Sequence, residues 1–353
     1  MKSILQICAF GSEKSGNFIP ALLSLENEMT KYGFSTIYAF PEKARNQEWC
    51  IKLSKDHKVY FLPEAKARIL PKTYTCVKKI YQENNIEIVH SHFELYDIPA
   101  TLMAPKNIKV FWHLHDAIKL GYNICSKAKK LLYKFQYGIV SKRAILLTVS
   151  IEHGNFANYL GFKKENIFFV PNGINLDRIE IVKPNSNNKF LMFGWEVERK
   201  GVDVAVQSTQ YIKNDNYQII VIGQNACKEF IEKNNNSHIL FLDPYENVND
   251  IYKNVSCFLH ISRAEGMSYA LIEAIYAGLP VICSDIPENQ FANIFKNVTF
   301  VKVGDAKELA NAIDGFVQKQ GISFEEIVQN RSVIEKNYSL DSWCKKIISI
   351  YGC

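Results

Sequence analysis

A chain of 353 residues, 47% hydrophobic and 22% charged, is too long for one ordinary domain and suits two of about 150 to 200 residues each, which excludes a disordered or fibrous class. The formal charge of +6 is too small to imply a nucleic-acid partner. Nine scattered cysteines, odd in number and without a Cys-x-x-Cys pair, speak against a disulfide framework or a zinc site and for reduced thiols in a cytosolic protein.

Short apolar runs alternate with longer helical patterns along the whole chain, as parallel βα units require. Residues 4–10 form the first expected strand; the run is too short for a signal-peptide core, and no apolar segment approaches the eighteen or so residues that span a bilayer. The loop after it carries Gly11 and Gly16, which let the backbone approach a ligand ahead of a helix N-terminus, so Gly16 is a candidate site residue. Further strands are expected at 35–40, 59–62, 86–91, 109–113, 145–150 and 167–170. His90 and His92 end the fourth of these. His113 closes the fifth as a packed histidine, and Leu114-His115-Asp116 opens the loop beyond it. Two His-x-His pairs invite a metal reading, but no third-ligand pattern accompanies them and no metal is expected.

Residues 126–143 hold six basic residues and no acid, interleaved with Leu131, Leu132, Tyr133, Phe135 and Tyr137. That is the pattern of an amphipathic helix on an anionic membrane surface, or equally of a core-packed helix with a solvated basic face. Pro171-Asn172-Gly173-Ile174 reads as a hinge turn and residues 183–189 as a polar, breaker-rich linker, which divides the chain into residues 1–175 and 176–335.

The second half repeats the pattern, with strands expected at 190–193, 218–223, 239–242, 256–261, 281–284 and 298–303. The first of them runs into Gly194, Trp195 and then Arg199, Lys200 and Gly201, a loop whose adjacent cations suit a diphosphate clamp. The fifth is preceded by the most informative segment of the chain. Glu265 stands in a strand-to-helix loop with Gly266, Met267 and Ser268, and Glu273 follows about two turns into the helix, roughly 12 Å along its axis. Two acids that far apart cannot share a proton or a metal, but they can grip the two ends of a ligand whose anionic middle rests on the helix N-terminus. Glu273 sits among Leu271, Ile272, Ala274 and Ile275, where a carboxylate is costly without partners. The chain closes on an amphipathic helix within residues 336–353, carrying Trp343, Ile347, Ile348 and Tyr351.

Glu265 and Glu273 match the E-x7-E motif of glycosyltransferase family 4, retaining nucleotide-sugar transferases of the GT-B fold, and the chain resembles that family. His115-Asp116, the Lys200-Gly201 pair and Pro171-Asn172-Gly173-Ile174 resemble further family segments. Trp195 stands where many members carry a basic residue, so Arg199 is the substitute, and the first loop lacks the common Gly-Gly pair. The resemblance implies two Rossmann-like doubly wound domains facing across a cleft, with the C-terminal helix crossing back to the N-terminal, acceptor-binding domain. It implies a donor site of Arg199, Lys200, Gly266, Met267, Ser268, Glu273 and Gly16. In it Glu265 and His115 lie by the donor sugar, Lys200 binds the diphosphate and Glu273 holds the ribose.

The expected activity is metal-independent transfer of a sugar, with retention, from a UDP- or GDP-linked donor to a lipid-linked or oligosaccharide acceptor, in bacterial capsule, lipopolysaccharide or cell-wall glycan synthesis. No separate cofactor is expected. The expected location is the cytoplasm, including the inner face of the cell membrane through residues 126–143. The rival readings are a sugar-nucleotide epimerase or a phosphorylase on the same fold, or an inactive nucleotide-binding protein.

Overall fold

The computed structural model describes residues 2–182, 185–244, 247–317 and 322–353. The chain forms two compact units, Met1–Gly173 with Leu340–Cys353, and Ile174–Ser339.

In the first unit the strands are β1 (Lys2–Cys8), β2 (Phe34–Pro41), β3 (Lys58–Leu62), β4 (Ile86–His92), β5 (Lys109–Leu114), β6 (Ala144–Thr148) and β7 (Ile167–Phe169). They form one seven-stranded sheet in the order β3-β2-β1-β4-β5-β6-β7, with every pairing parallel. Helices cover both faces of such a sheet, so β1 buries six consecutive residues, Ser3 to Cys8, instead of alternating. The strand order turns back between β1 and β4, which makes the carboxyl ends of β1, β4 and β5 the natural place for a ligand.

The second unit has β8 (Lys189–Gly194), β9 (Gln218–Gly223), β10 (Ile239–Leu242), β11 (Cys257–His260), β12 (Val281–Ser284) and β13 (Val298–Val301). These form a six-stranded parallel sheet in the order β10-β9-β8-β11-β12-β13, with its turning point between β8 and β11. The expected strands coincide with these except at their ends. β6 stops at Thr148 because the Ser150 hydroxyl accepts from the His153 amide at 3.1 Å and caps the next helix, Ile151–Tyr159.

The crossing between units falls at Gly173/Ile174, and the breaker-rich stretch 183–189 is not the link. Residues just before it are already tied to the second unit: the Val182 amide donates to Ala277 O at 2.8 Å and the Glu180 amide to Asn249 Oδ1 at 3.0 Å. Lys183 and Pro184 themselves lie outside the described residues. The chain returns after Ser339. Residues 336–338 finish the helix Phe324–Tyr338, and a separate helix, Leu340–Tyr351, begins beyond it. Its Trp343, Ile347 and Tyr351 share one core with Leu25 and Met29 of the helix Phe18–Thr30 and with Phe111 of β5. Burying side chains of that size is worth about 1.5–3 kcal/mol each, which holds the returning helix on the first unit. All nine cysteines are free thiols.

Candidate functional site

In the second unit the loop after β8 is a single helical turn, with the Lys200 amide donating to Glu196 O at 3.1 Å and that of Val202 to Val197 O at 2.9 Å. It is fastened to the loop after β11. The Arg263 amide donates to Arg199 O at 2.8 Å, and the Arg263 guanidinium grips both oxygens of Asp203 at 2.7 Å. Gly201 closes the turn at φ +74°, and a Cβ there would stand 2.3 Å from Ile261 O, so only glycine lets the two loops meet.

Their meeting brings Lys200 Nζ to 2.5 Å from Glu265 Oε1, while Arg199 Nη1 lies 3.6 Å from Glu265 Oε2 and its Nη2 holds Glu196 at 2.8 Å. Glu265 is 6% exposed. Burial works against its charge, but the Lys200 cation and hydrogen bonds from Lys200 and Ser262 overcome it and hold the carboxyl below its ordinary range. His260 lies behind it, Nε2 to Oε1 3.8 Å, and burial lowers that imidazole to about 4, so it is neutral at pH 7.

The helix after Glu265 starts at Tyr269, with Ser268 as its cap, accepting from the Leu271 amide at 3.3 Å. Gly266 and the buried Met267 form the approach to it. Glu273 is therefore the fifth residue of the helix, one turn in and about 6 Å along the axis from its start, instead of two turns in. The difference arises because Gly266 to Ser268 remain loop ahead of the helix. Glu273 is 5% exposed, and Arg178 of the segment Leu176–Arg178 places Nη2 3.6 Å from its Oε1. The two acids thus carry separate cations at separate ends of one helix start, and do not form a shared acid pair.

In the first unit His115 follows β5 and is half-buried. Its Nε2 is 3.2 Å from His92 Nδ1, its side chain also hydrogen-bonds Asn172, and Phe93 packs against its ring at 4.7 Å. The Pro-Asn-Gly-Ile turn is therefore more than a hinge: its buried asparagine steadies the candidate histidine. Gly16 has φ +55° with open space around its absent Cβ, so its need is the turn and not a close contact within the unit.

His90, His92 and His113 are fully buried on β4 and β5, and their ring nitrogens come within 4.8 Å of one another. The rings of His90 and His113 lie parallel to within 1° at 5.5 Å, and His113 supplies the third nitrogen that the His-x-His spacing did not reveal. Burial lowers His90 and His115 to about 3 and holds His92 and His113 well below the ordinary range, leaving four neutral imidazoles at pH 7.

A cavity of about 670 Å³ opens at the carboxyl ends of β1 and β4 in the same unit, lined in part by Phe10, Gly11, Lys43, Phe93, Glu94 and Asp116. Aromatic walls with carboxylates suit a hydroxylated ring. Burial raises Glu94 to about 7 against the pull of Arg68, whose Nη2 is 3.1 Å away.

Glu94, Arg178, His260 and Asn172 were not read as site residues from the sequence. Glu94 offered one signal, as a carboxylate two residues past a buried strand end. Arg178, 95 positions from Glu273, offered none.

Two family models match in tandem, "Glycosyltransferase Family 4" over residues 24–178 and "Glycosyl transferases group 1" over residues 174–337. The chain is 27% identical over 267 residues to the capsular polysaccharide biosynthesis glycosyltransferase CapH of Staphylococcus aureus, covering 70% of this chain and 74% of CapH. Among solved structures, sucrose-phosphate synthase of Thermosynechococcus elongatus superposes with a TM-score of 0.80 at 16% identity, covering 99% of this chain and 98% of that one. HepE of Anabaena, solved in complex with UDP and glucose, superposes at 0.77 with 13% identity over 99% of each chain. Two doubly wound parallel sheets, the paired loops around Glu265 and these matches together establish that the chain has the GT-B fold and belongs to the family 4 glycosyltransferases.

Proposed function

We propose that the protein is a retaining glycosyltransferase that needs no metal ion and moves a sugar from a UDP- or GDP-linked donor to an acceptor hydroxyl. The observation that carries this reading is the Lys200–Glu265 pair at 2.5 Å beside the start of the helix Tyr269–Ala277. An ammonium has three donors, so Lys200 can keep Glu265 and still meet a phosphate oxygen. Arg199 and the helix N-terminus add positive potential there. Glu273, with Arg178 beside it, is the acceptor for ribose hydroxyls, and Glu265 is the one for the donor sugar. His115 is the group of the first unit that holds a sugar hydroxyl.

In the reaction the bond from the anomeric carbon to the diphosphate breaks, and its electron pair leaves with the diphosphate oxygen. The acceptor oxygen bonds to the same face of that carbon, and its proton passes to the departing diphosphate. Lys200 and Arg199 oppose the charge that grows on the leaving group, which in a preorganised site supplies much of the rate. No metal enters these steps.

A panel of nucleotide diphosphate-sugars tests the donor: the right one at about 100 times its Kd raises stability by about 2.7 kcal/mol. Stabilisation by none of them refutes the donor assignment. An inverted product anomer by NMR refutes retention, and loss of turnover in a chelator refutes metal independence.

For the acceptor we propose a lipid-linked or oligosaccharide chain in bacterial surface polysaccharide synthesis, with its sugar in the cavity beside Glu94. The likeness to CapH supports the pathway. Among the described residues no helix is long and apolar enough to cross a membrane. The helix Lys127–Val140 leaves Leu131 70% and Phe135 65% exposed, one turn apart, among Lys127, Lys129 and Lys134, which supports docking on an anionic inner membrane face. Lys142 and Arg143 fall beyond this helix, and Arg143 is spent on the carbonyls of Ala104 and Pro105. Flotation with anionic and neutral vesicles tests the docking; equal recovery with both refutes it.

A further inference from the structure

Of the histidines on and just beyond β4 and β5, three do more than fill space, because the hydrogen bonds that join His90, His92 and His115 to Gln6 and Tyr351 depend on one another. Gln6 of β1 is buried, with Oε1 2.8 Å from His92 Nε2, and its side chain also hydrogen-bonds the Tyr351 hydroxyl of the C-terminal helix. That hydroxyl lies 2.6 Å from His90 Nδ1. Such a distance belongs to O–H donors, whereas N–H donors to oxygen settle nearer 2.9 Å. Tyr351 therefore donates to His90 and its oxygen accepts from Gln6, which turns the amide NH2 toward Tyr351 and the carbonyl toward His92. A carbonyl only accepts, so the His92 proton sits on Nε2 and its Nδ1 is a lone pair. His115 Nε2, 3.2 Å from that lone pair, must then carry the proton of His115. Its Nδ1 is left as an acceptor.

We propose that Gln6 and His92 are positioning residues that fix His115 as its Nε2–H tautomer, with Tyr351 of the returning helix locking the Gln6 amide. A sugar hydroxyl that meets Nδ1 must then donate its proton to the ring and cannot accept one. Along such a series each hydrogen bond constrains the next, and turning Gln6 over would reverse every proton in it. The role in transfer rests on the reading of His115 given above. The tautomer is measured without substrate, so failure of that reading leaves this measurement unchanged.

The test is long-range 1H–15N correlation NMR of the full chain labelled at histidine, with the His115 signals identified by their loss in His115→Gln. The expected result is one His115 tautomer, Nε2 protonated and Nδ1 bare, unchanged from pH 6 to 8. The opposite tautomer, or a mixture, overturns the proposal on the unsubstituted protein alone. Tyr351→Phe keeps the ring that packs on Phe111 at 4.7 Å and removes only the hydroxyl. It and Gln6→Met should each convert the single-tautomer signature into a mixture. A His115 signature untouched in both variants overturns the lock.

Discussion

Replacing Lys200 by methionine keeps the unbranched stem of the side chain and deletes its charge, with one effect on stability and another on turnover. The first is stability. Lys200 and Glu265 have side chains 12% and 8% exposed and meet at 2.5 Å, so removing the cation strands a buried carboxylate. Breaking one partner of a buried pair costs about 3–5 kcal/mol, tempered here by Arg199 at 3.6 Å. The second is turnover, where loss of a charged contact to the leaving group costs about 100- to 1000-fold in kcat. Lys200→Met with Glu265→Gln separates them: urea unfolding at pH 7 should recover most of the lost stability in the double variant, while turnover stays low. The pH dependence adds a sign. In the unsubstituted protein Glu265 is held below its ordinary pKa, so its contribution is present above the unfolded pKa and is lost as pH falls through the folded one. In Lys200→Met burial is left less opposed, and acidification should cost less than before. If Lys200→Met unfolds at the same urea concentration as the unsubstituted protein and turns over normally, the paired-clamp reasoning is wrong.

Glu273→Gln should weaken binding of the nucleoside diphosphate alone by about 10-fold, the worth of one charged hydrogen bond, while Glu265→Gln should leave that affinity nearly unchanged and impair sugar binding or transfer; calorimetry with and without the sugar moiety distinguishes them. Gly201→Ala forces a side chain into φ +74° with Ile261 O 2.3 Å from its Cβ, and should destabilise the protein by at least 1–3 kcal/mol in urea titrations. Glu94 has a folded pKa of about 7, above its ordinary 4.5, so the folded state holds the proton longer and stability falls as pH rises through that window. Glu94→Gln should flatten this fall between pH 4.5 and 7, and an unchanged slope would place the titration elsewhere.

Local pattern alone determined much of this protein. The strands among the described residues are apolar runs bounded by turn residues, and a strand buried on both faces needs little more than such a run to be recognised. The Glu265 to Glu273 segment was legible for the same reason, since a strand, a glycine turn and a helix lie within some twenty consecutive residues. What the tertiary structure decided are the pairings between distant positions. Lys200 meets Glu265 across 65 residues because β8 and β11 are neighbours at the turning point of the sheet. Arg178 reaches Glu273 because the chain after the crossing is tied down along the second unit, and the cap at Ser268 instead of Gly266 set how far into the helix Glu273 lies. The histidine series exists only because the parallel pairing of β1 and β4 sets Gln6 opposite His90 and within reach of His92, and because the last helix brings Tyr351 back to His90. Periodicity reports which face a residue takes, but a hydrogen bond depends on which strand lies next door, and that is settled by the packing of the whole sheet.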